Sequence, residues 1–189
     1  ELFVECVIAP GFSATALEIF SRKKNLRLVT MPDLKVEPVH EFRSINRGLL
    51  RQAVDMGDPA DAEWKNVTRR ETTRAELRAL RFAWKACQHV KSNAIVFAIN
   101  EATVGIGGGQ PNRVDCVRIA AQRAGERSIG AVMASDAFFP FPDSVEEAAK
   151  AGITAIVQPG RSVRDSESIA MADEDRKSTR LNSSHTIQS

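Results

Sequence analysis

Three short segments of the sequence combine residue types that suit ligand binding, and each is expected to follow a strand and precede a helix. Residues 105–110 are rich in glycine, residues 135–143 hold three phenylalanines, two prolines and two aspartates, and residues 158–165 are rich in hydrogen-bond donors. In an α/β sheet such loops lie beyond the carboxyl ends of the strands, where ligands bind. The sequence therefore predicts a ligand site at one edge of a sheet.

The glycine-rich segment departs from the dinucleotide-binding pattern. That pattern places glycine at three positions of G-x-G-x-x-G, and counting from Gly105 puts Gln110 at the third position. This argues against a Rossmann-type oxidoreductase that binds NAD. Successive glycines still permit close approach of the backbone to an anion or a carboxamide, and the following helix offers free N–H groups. A tight turn without a ligand is the alternative, and the sequence leaves it open.

The aromatic segment is unusual for a solvated connection, because exposed aromatic rings are costly in water. Its phenylalanines either cap the core or form a rigid apolar wall for a planar ligand, with Asp136 and Asp143 as its polar groups. The third segment, taken by itself, is typical of an ordinary turn between a strand and a helix. Residue chemistry alone thus predicts an α/β ligand-binding domain and identifies no reaction.

Metal, disulfide and nucleophile chemistry find no motif. The cysteines are Cys6, Cys87 and Cys116, which lie far apart in apolar stretches, and the histidines are the isolated His40, His89 and His185. An odd number of cysteines without a C-x-x-C pair argues against a disulfide framework or a zinc site. We expect buried, reduced thiols in a cytoplasmic protein.

Apolar periodicity predicts the elements that would position these segments. The predicted strands are 3–9, 26–30, 42–45, 49–54, 93–99, 102–106, 130–134 and 153–157, and the predicted helices begin at Ser13, Thr73, Arg113, Asp143 and Asp165. Thr73 and Glu76 have capping-box spacing, Asp143 is expected as an N-cap, and Trp84 is expected in the core. The alternation indicates an α/β fold with a mostly parallel sheet and covering helices.

Length and charge bound the class of protein. The 189 residues suit one domain or two small subdomains, and no run reaches the roughly 20 apolar residues of a membrane helix. The formal net charge is +2, but residues 176–189 carry three positive charges and no acid, which leaves the rest at −1. A nearly neutral body argues against nucleic acid or an anionic membrane as partner. We interpret residues 176–189 as a non-native tail and, since the chain opens in a strand pattern without an initiator methionine, expect a piece of a longer protein.

Four ordered motifs give the chain a specific resemblance. They are Lys91-Ser92-Asn93-Ala94-Ile95-Val96, residues 105–113, residues 134–143 and Gln158-Pro159-Gly160. In that order and spacing they resemble bifunctional purine biosynthesis proteins, which couple AICAR formyltransferase to IMP cyclohydrolase. The resemblance covers residues 1–173 and only the carboxyl-terminal part of the transformylase domain.

The resemblance implies a cytidine-deaminase-like three-layer α/β fold, duplicated within the transformylase domain, and a homodimer with active sites at the subunit interface. The implied reaction moves a formyl group from 10-formyltetrahydrofolate to the 5-amino group of AICAR, and ring closure elsewhere then gives IMP. The sequence lacks the His-x-Glu and Pro-Cys-x-x-Cys signature of zinc deaminases, which agrees with a family that uses the fold without catalytic zinc. A non-catalytic α/β module that binds a nucleotide or a folate is the alternative.

Carried over by position, the resemblance implies roles for eight residues. The implied AICAR contacts are Asn93, Arg113 and Phe138, the implied folate contacts are Val114, Asp143, Ser162 and Val163, and Asp136 is implied at a monovalent-cation site, with potassium as the ion. Each residue also has a structural alternative, such as a strand-edge turn for Asn93, a plain N-cap for Asp143 and a core position for Phe138.

Several departures from the family pattern matter. The catalytic Lys-His pair of the family lies upstream and has no counterpart here, so no catalytic residue is named and the chain alone is expected to be inactive. The tail replaces the carboxyl-terminal strand of the family, with its substrate-binding Arg and terminal His. Arg161 and Arg47 stand where the family has glycine, and a bulky residue is strained there if φ is positive.

Overall fold

The computed structural model describes residues 3–34, 40–58, 62–160, 162–175 and 177–182. They belong to two compact units, which divide the chain between Asp55 and Met56. Arg161, one of the departures noted above, lies outside the described residues. Within them no helix has both the length and the apolar character that a membrane span needs.

The first unit is a β-α-β motif followed by a hairpin. Its elements are β1 (Cys6–Ala9), α1 (Ala14–Ser21), β2 (Arg27–Thr30), β3 (His40–Ile45) and β4 (Gly48–Ala53). β1 pairs parallel with β2, and β3 pairs antiparallel with β4. The side chain of Ser13 accepts a hydrogen bond from the Ala16 N–H at 3.2 Å, which confirms the predicted cap. Every described side chain of this unit is at least partly exposed.

The second unit is built on a six-stranded sheet. Its elements are β5 (Trp64–Asn66), α2 (Arg74–Gln88), β6 (Ala94–Ile99), β7 (Ala102–Gly108), α3 (Arg113–Ala124), a 3₁₀ turn (Gly125–Ser128), β8 (Val132–Ser135), α4 (Asp143–Lys150), β9 (Ala155–Pro159), α5 (Asp165–Glu174) and β10 (Ser178–Asn182). The strand order is β5-β10-β9-β8-β6-β7.

The sheet is mixed, so the prediction of a mostly parallel sheet is wrong. Only β8–β9 and β9–β10 are parallel pairs, whereas the other three pairs are antiparallel. The reason is the two-residue turn Asn100-Glu101, which makes β6 and β7 a hairpin and so reverses β6 relative to β8. An alternation of strands and helices along the sequence does not reveal such a reversal.

Helices cover both faces of this sheet, as the three-layer expectation requires. Ala94, Val96 and Ala98 of β6 pack in one apolar cluster with α2. Ile95 and Phe97 point to the opposite face and pack in a second cluster with α3, α4 and α5. The alternation follows the two-residue period of a strand that is buried on both faces.

The capping box predicted for α2 is present. The Thr73 side chain accepts from the Glu76 N–H at 3.2 Å, and the Glu76 carboxylate accepts from the Thr73 N–H at 2.9 Å. Trp84 packs against the cluster under α2, and its ring meets that of Trp64 edge to face at 6.0 Å. The core assignment of Trp84 is confirmed.

The glycines at 105–108 belong to strand β7 and not to a ligand loop. A Cβ atom on Gly105 would lie 2.1 Å from the Ala120 carbonyl oxygen, and one on Gly107 would lie 2.0 Å from that of Cys116. These glycines therefore let α3 approach the sheet at backbone distance. The interpretation of this segment as a loop that cradles an anion is wrong for residues 105–108.

Two other local expectations fail. Pro142 occupies the N-cap position of α4, and Asp143 is the first helical residue, whose carboxylate accepts from the Ser144 N–H at 2.7 Å. Residues 178–182 of the segment excluded from the fold form β10, which lies between β9 and β5. A strand pairs through backbone groups, so a polar sequence without a period can still form one. The non-native origin of residues 176–189 stays a prediction.

Candidate functional site

Four chain segments of the second unit meet at one edge of its sheet. Because β6 runs antiparallel to β7 and β8, and β8 runs parallel to β9, the start of β6 lies beside the ends of the other three strands. Asn93 precedes β6, Arg113 opens α3 after β7, Asp136 follows β8 and Gln158 lies at the end of β9. The topology thus gathers the predicted segments at one place.

Arg113 is at the centre of this edge, with 8% of its surface exposed. Its Nη1 donates to the Ser135 hydroxyl at 3.0 Å and forms an ion pair with the Asp136 carboxylate. Its Nη2 donates to Asn93 Oδ1 at 2.6 Å. A planar guanidinium with fixed donors holds three groups in a set geometry.

Asn93 is locked in this network from both ends of its amide. Its Oδ1 accepts from Arg113, and its Nδ2 donates to the carbonyl oxygens of Gln110 at 2.8 Å and Pro111 at 3.0 Å. The segment that joins β7 to α3 is therefore tied to the start of β6. The side chain that the resemblance assigns to the nucleotide is oriented by contacts within the protein.

The Asp136 carboxylate accepts hydrogen bonds on both oxygens. Oδ1 accepts from the Ala94 N–H at 3.0 Å and pairs with Arg113, and Oδ2 accepts from the Ser92 hydroxyl. Arg113 is the cation beside this carboxylate, so the arrangement does not favour potassium at Asp136. No cluster of three metal-ligating side chains occurs within the described ranges. The potassium assignment stays a prediction.

The aromatic segment points in two directions. Phe139 is fully buried in the core, whereas Phe138 is 37% exposed and Phe141 is 50% exposed. The core alternative therefore holds for Phe139, and the surface of the segment presents two rings, as a wall for a planar ligand requires. Asp143 lies at the start of α4, next to this segment.

The third segment is ordered by its own side chains. The Ser162 N–H donates to the Asp165 carboxylate at 3.1 Å, and the Arg164 N–H donates to the Ser162 hydroxyl at 3.1 Å. Val163 is fully exposed. The Arg164 guanidinium lies 4.9 Å from the centre of the Phe141 ring, which links this segment to the aromatic one.

The structure thus brings Asn93, Arg113 and Asp136 into direct contact. Val114 follows Arg113 on the first turn of α3 and is partly buried. The other predicted residues, Phe138, Asp143, Ser162 and Val163, lie on the neighbouring segments. The roles of all eight residues in binding stay predictions.

Three partners of the network were missed by sequence reasoning: Ser92, Ser135 and Gln158. The two serines sit next to Asn93 and Asp136, but a hydroxyl beside a strand has no distinctive pattern. Gln158 had a signal, because it is the polar member of the otherwise apolar strand 155–159 and is fully buried.

The buried thiols near this edge are chemically inert. Burial raises the pKa of Cys87 to about 12, and the negative charge of Asp136 adds to that effect. Burial also raises the pKa of Cys116, whose thiol donates to the Asn93 carbonyl oxygen at 3.1 Å. Neither thiol is a nucleophile at neutral pH. The expectation of burial fails for Cys6, which is exposed.

Comparisons with known proteins agree with the motifs. The family described as AICARFT/IMPCHase bienzyme matches residues 1–123, which include Asn93 and Arg113. Three proteins named bifunctional purine biosynthesis protein PurH are similar to the chain. That of Halalkalibacterium halodurans is 55% identical over 175 residues, covering 92% of this chain and 34% of that protein. Those of Nostoc punctiforme and Bacillus subtilis are each 51% identical and cover 91% and 92% of this chain and 34% of the respective proteins.

The chain spans about a third of the length of the curated relatives it matches. Among solved structures, Acinetobacter baumannii RibD, form 2, aligns with a TM-score of 0.39 and 15% identity over 57% of this chain and 32% of that one, a likeness that carries no argument. The family match extends over most of the sequence and includes the start of β6 and the first turn of α3, where the side chains of the buried network originate. On these grounds the chain belongs to the AICARFT/IMPCHase bienzyme family.

Proposed function

We propose that this chain is the carboxyl-terminal part of the AICAR formyltransferase domain of a bifunctional purine biosynthesis enzyme, over residues 1–173. The reaction transfers a formyl group from 10-formyltetrahydrofolate to AICAR on the way to IMP, and the full-length protein also carries IMP cyclohydrolase. The observation that supports the proposal is the pre-ordered network of Asn93, Arg113 and Asp136 at the sheet edge of a chain of this family.

In this proposal the edge binds and orients its substrates. The Arg113–Asn93 pair holds the nucleotide, Phe138 packs against the imidazole ring, and Val114, Asp143, Ser162 and Val163 contact the folate. Asp136 with potassium belongs to the proposal as its least supported part, because Arg113 already neutralises the carboxylate. The working enzyme is a cytoplasmic homodimer with both substrates bound at the subunit interface.

The chain alone lacks a group for proton transfer from the AICAR amine. Among the described contacts of the site no histidine takes part, and both nearby thiols stay protonated. We therefore expect no turnover from the purified 189-residue chain. We expect turnover when residues 1–173 replace the matching third of the Halalkalibacterium halodurans relative. A transformylase assay that finds this chimera inactive, although it folds and its unaltered parent is active, contradicts the proposal.

A non-catalytic module that binds a nucleotide or a folate is the second candidate. It is favoured by the same shortage of acid–base groups among the described residues of the site. Equilibrium binding separates the two: the isolated chain should bind AICAR tightly if it is a complete module, and weakly if the site needs residues from the rest of a longer enzyme.

A further inference from the structure

Gln158 contacts the aromatic segment from the neighbouring strand. It lies at the end of β9, is fully buried, and its Oε1 accepts from the Phe139 N–H at 2.8 Å. Its side chain alternates with those of Val157 and Pro159, so it shares the sheet face of Ile156, on which the Phe139 ring is also buried. The backbone of the aromatic segment is thereby fastened immediately after Phe138.

A second fastening lies immediately before Phe138. The Ser135 hydroxyl donates to the Ala137 carbonyl oxygen at 2.7 Å while it accepts from Arg113 Nη1 at 3.0 Å. Phe138 therefore projects outward between two anchored neighbours, with 37% of its surface exposed. One anchor belongs to the Arg113 network and the other is Gln158.

We propose that Gln158 is a positioning residue, which sets the place of the Phe138 ring through the Phe139 N–H. The proposal rests on the proposed function, in which Phe138 is the wall for the planar ring of the acceptor nucleotide. Gln158 touches no substrate and acts through the segment it holds. Its removal weakens nucleotide binding and leaves the chemical step nearly unchanged.

The chemistry of the position supports this role. The Nε2 of Gln158 is buried and has no hydrogen-bond partner within the described part of the chain, so the amide carries a desolvation cost that an apolar side chain would avoid. What the amide supplies is the acceptor for Phe139. The Arg164 guanidinium over the Phe141 ring adds a second link between the same two segments.

The test uses the chimera described above and four variants. Gln158→Met removes the acceptor at similar length, and Gln158→Glu keeps an acceptor, since a buried carboxyl is neutral. Gln122→Met, on the exposed side of α3, controls for the substitution itself, and Ile153→Val controls for lost core stability. KM for AICAR, kcat, thermal unfolding and amide exchange at Phe139 are measured for each.

We expect Gln158→Met to raise KM for AICAR about tenfold with kcat changed less than about twofold, and to speed exchange of the Phe139 amide about tenfold or more. Gln158→Glu should restore KM to within about threefold. An unchanged KM in Gln158→Met, with a melting temperature lowered as in Ile153→Val, overturns the proposal.

Two further outcomes remain decisive. If the unsubstituted chimera has no activity, the proposed function fails, and exchange at Phe139 in the 189-residue chain still decides whether Gln158 holds the segment. If Gln158→Met does not fold, Gln158→Glu carries the test, and a KM raised tenfold in that variant contradicts the role of the acceptor.

Discussion

Arg113 determines how the groups of the candidate site are arranged. It is a buried cation whose donors reach an amide, a hydroxyl and a carboxylate on three different segments. A buried ion pair gains little over a well-packed apolar pair, but removing one partner leaves an uncompensated charge. The network is therefore more a device for orientation than a source of stability.

This asymmetry gives a prediction for single and double variants. Arg113→Leu should lower the free energy of unfolding by about 3 kcal/mol, because Asp136 loses its counter-charge while it is mostly buried. Adding Asp136→Asn should recover about 1 kcal/mol or more of that loss. Urea unfolding of the two single variants and the double variant measures the coupling.

The matched control is Arg118→Leu, on the same helix. Arg118 is 56% exposed and pairs with Asp115 and Glu147, so its loss should cost less than about 1 kcal/mol. Equal losses for Arg113→Leu and Arg118→Leu would contradict the buried network.

At this scale the sequence identified the ends of the network better than its middle. Asn93, Arg113 and Asp136 were proposed through motifs, and the structure brings them together. Ser135, which joins Arg113 to the aromatic segment, has no sequence signal, because its role depends on two partners at distances fixed by the fold. A hydroxyl bond of this kind is legible only in three dimensions.

Among the elements, the β3–β4 hairpin contains a strained turn. Arg47 has φ of +64° at the second turn position, where glycine is favoured. Arg47→Gly should stabilise the hairpin by about 1 kcal/mol, seen as amide exchange in the two strands about fivefold slower. Arg47→Ala removes the charge and keeps the strain, so it should give no such gain. Equal slowing in both variants would assign the effect to charge.

The start of α2 gives a prediction for pH. Burial opposes ionisation of Glu76, but hydrogen bonds from Arg70 and the Thr73 N–H outweigh it and lower its pKa. A carboxyl with a lowered pKa in the folded state stabilises above its unfolded value, near 4.3, and this stability is lost as pH falls through the folded pKa. Glu76→Gln should therefore cost roughly 1 kcal/mol at pH 7 and nothing once the wild-type carboxyl is protonated.

Urea unfolding at a series of pH values between 7 and 2.5 measures this difference. Glu101→Gln, at the exposed β6–β7 turn, serves as the control for a lost surface charge. A constant difference between wild type and Glu76→Gln across that range would show that the charge of Glu76 plays no part.

Helices were more legible than sheet topology. Apolar period and caps placed α2 and α3 closely, because both signals are local. The glycines of β7 were misread as a loop, since their purpose is contact with Ala120 and Cys116 of a helix later in the chain. Local patterns show where the chain turns, and not which backbone will lie against it.

On the scale of the whole molecule, the first unit exposes apolar side chains that a stable domain would bury. Phe42, Leu49 and Leu50 are 63%, 68% and 55% exposed, and no described residue of this unit is buried. We expect the isolated chain to bind a hydrophobic dye and to self-associate at micromolar concentration. The chimera should do neither if the rest of the enzyme covers these surfaces. Dye fluorescence and light scattering compare the two proteins, and an equal signal from both contradicts this account.

The second unit depends on β10 to complete its sheet. Thr179 is buried, its N–H donates to the Thr68 hydroxyl at 2.8 Å, and its carbonyl accepts from the Val67 N–H at 3.0 Å. Ending the chain at Asp175 removes the only described partner of β5 and uncovers the edge of β9, so we expect a loss of about 3 kcal/mol and a melting temperature lower by about 10 °C. The reference is the chain ending at Asn182, which keeps the whole strand. If the shorter chain melts at the same temperature or higher, residues 176–182 do not contribute to the fold in solution, which supports their interpretation as a non-native tail. If it melts lower, a segment of polar sequence has taken a central strand position through its backbone alone.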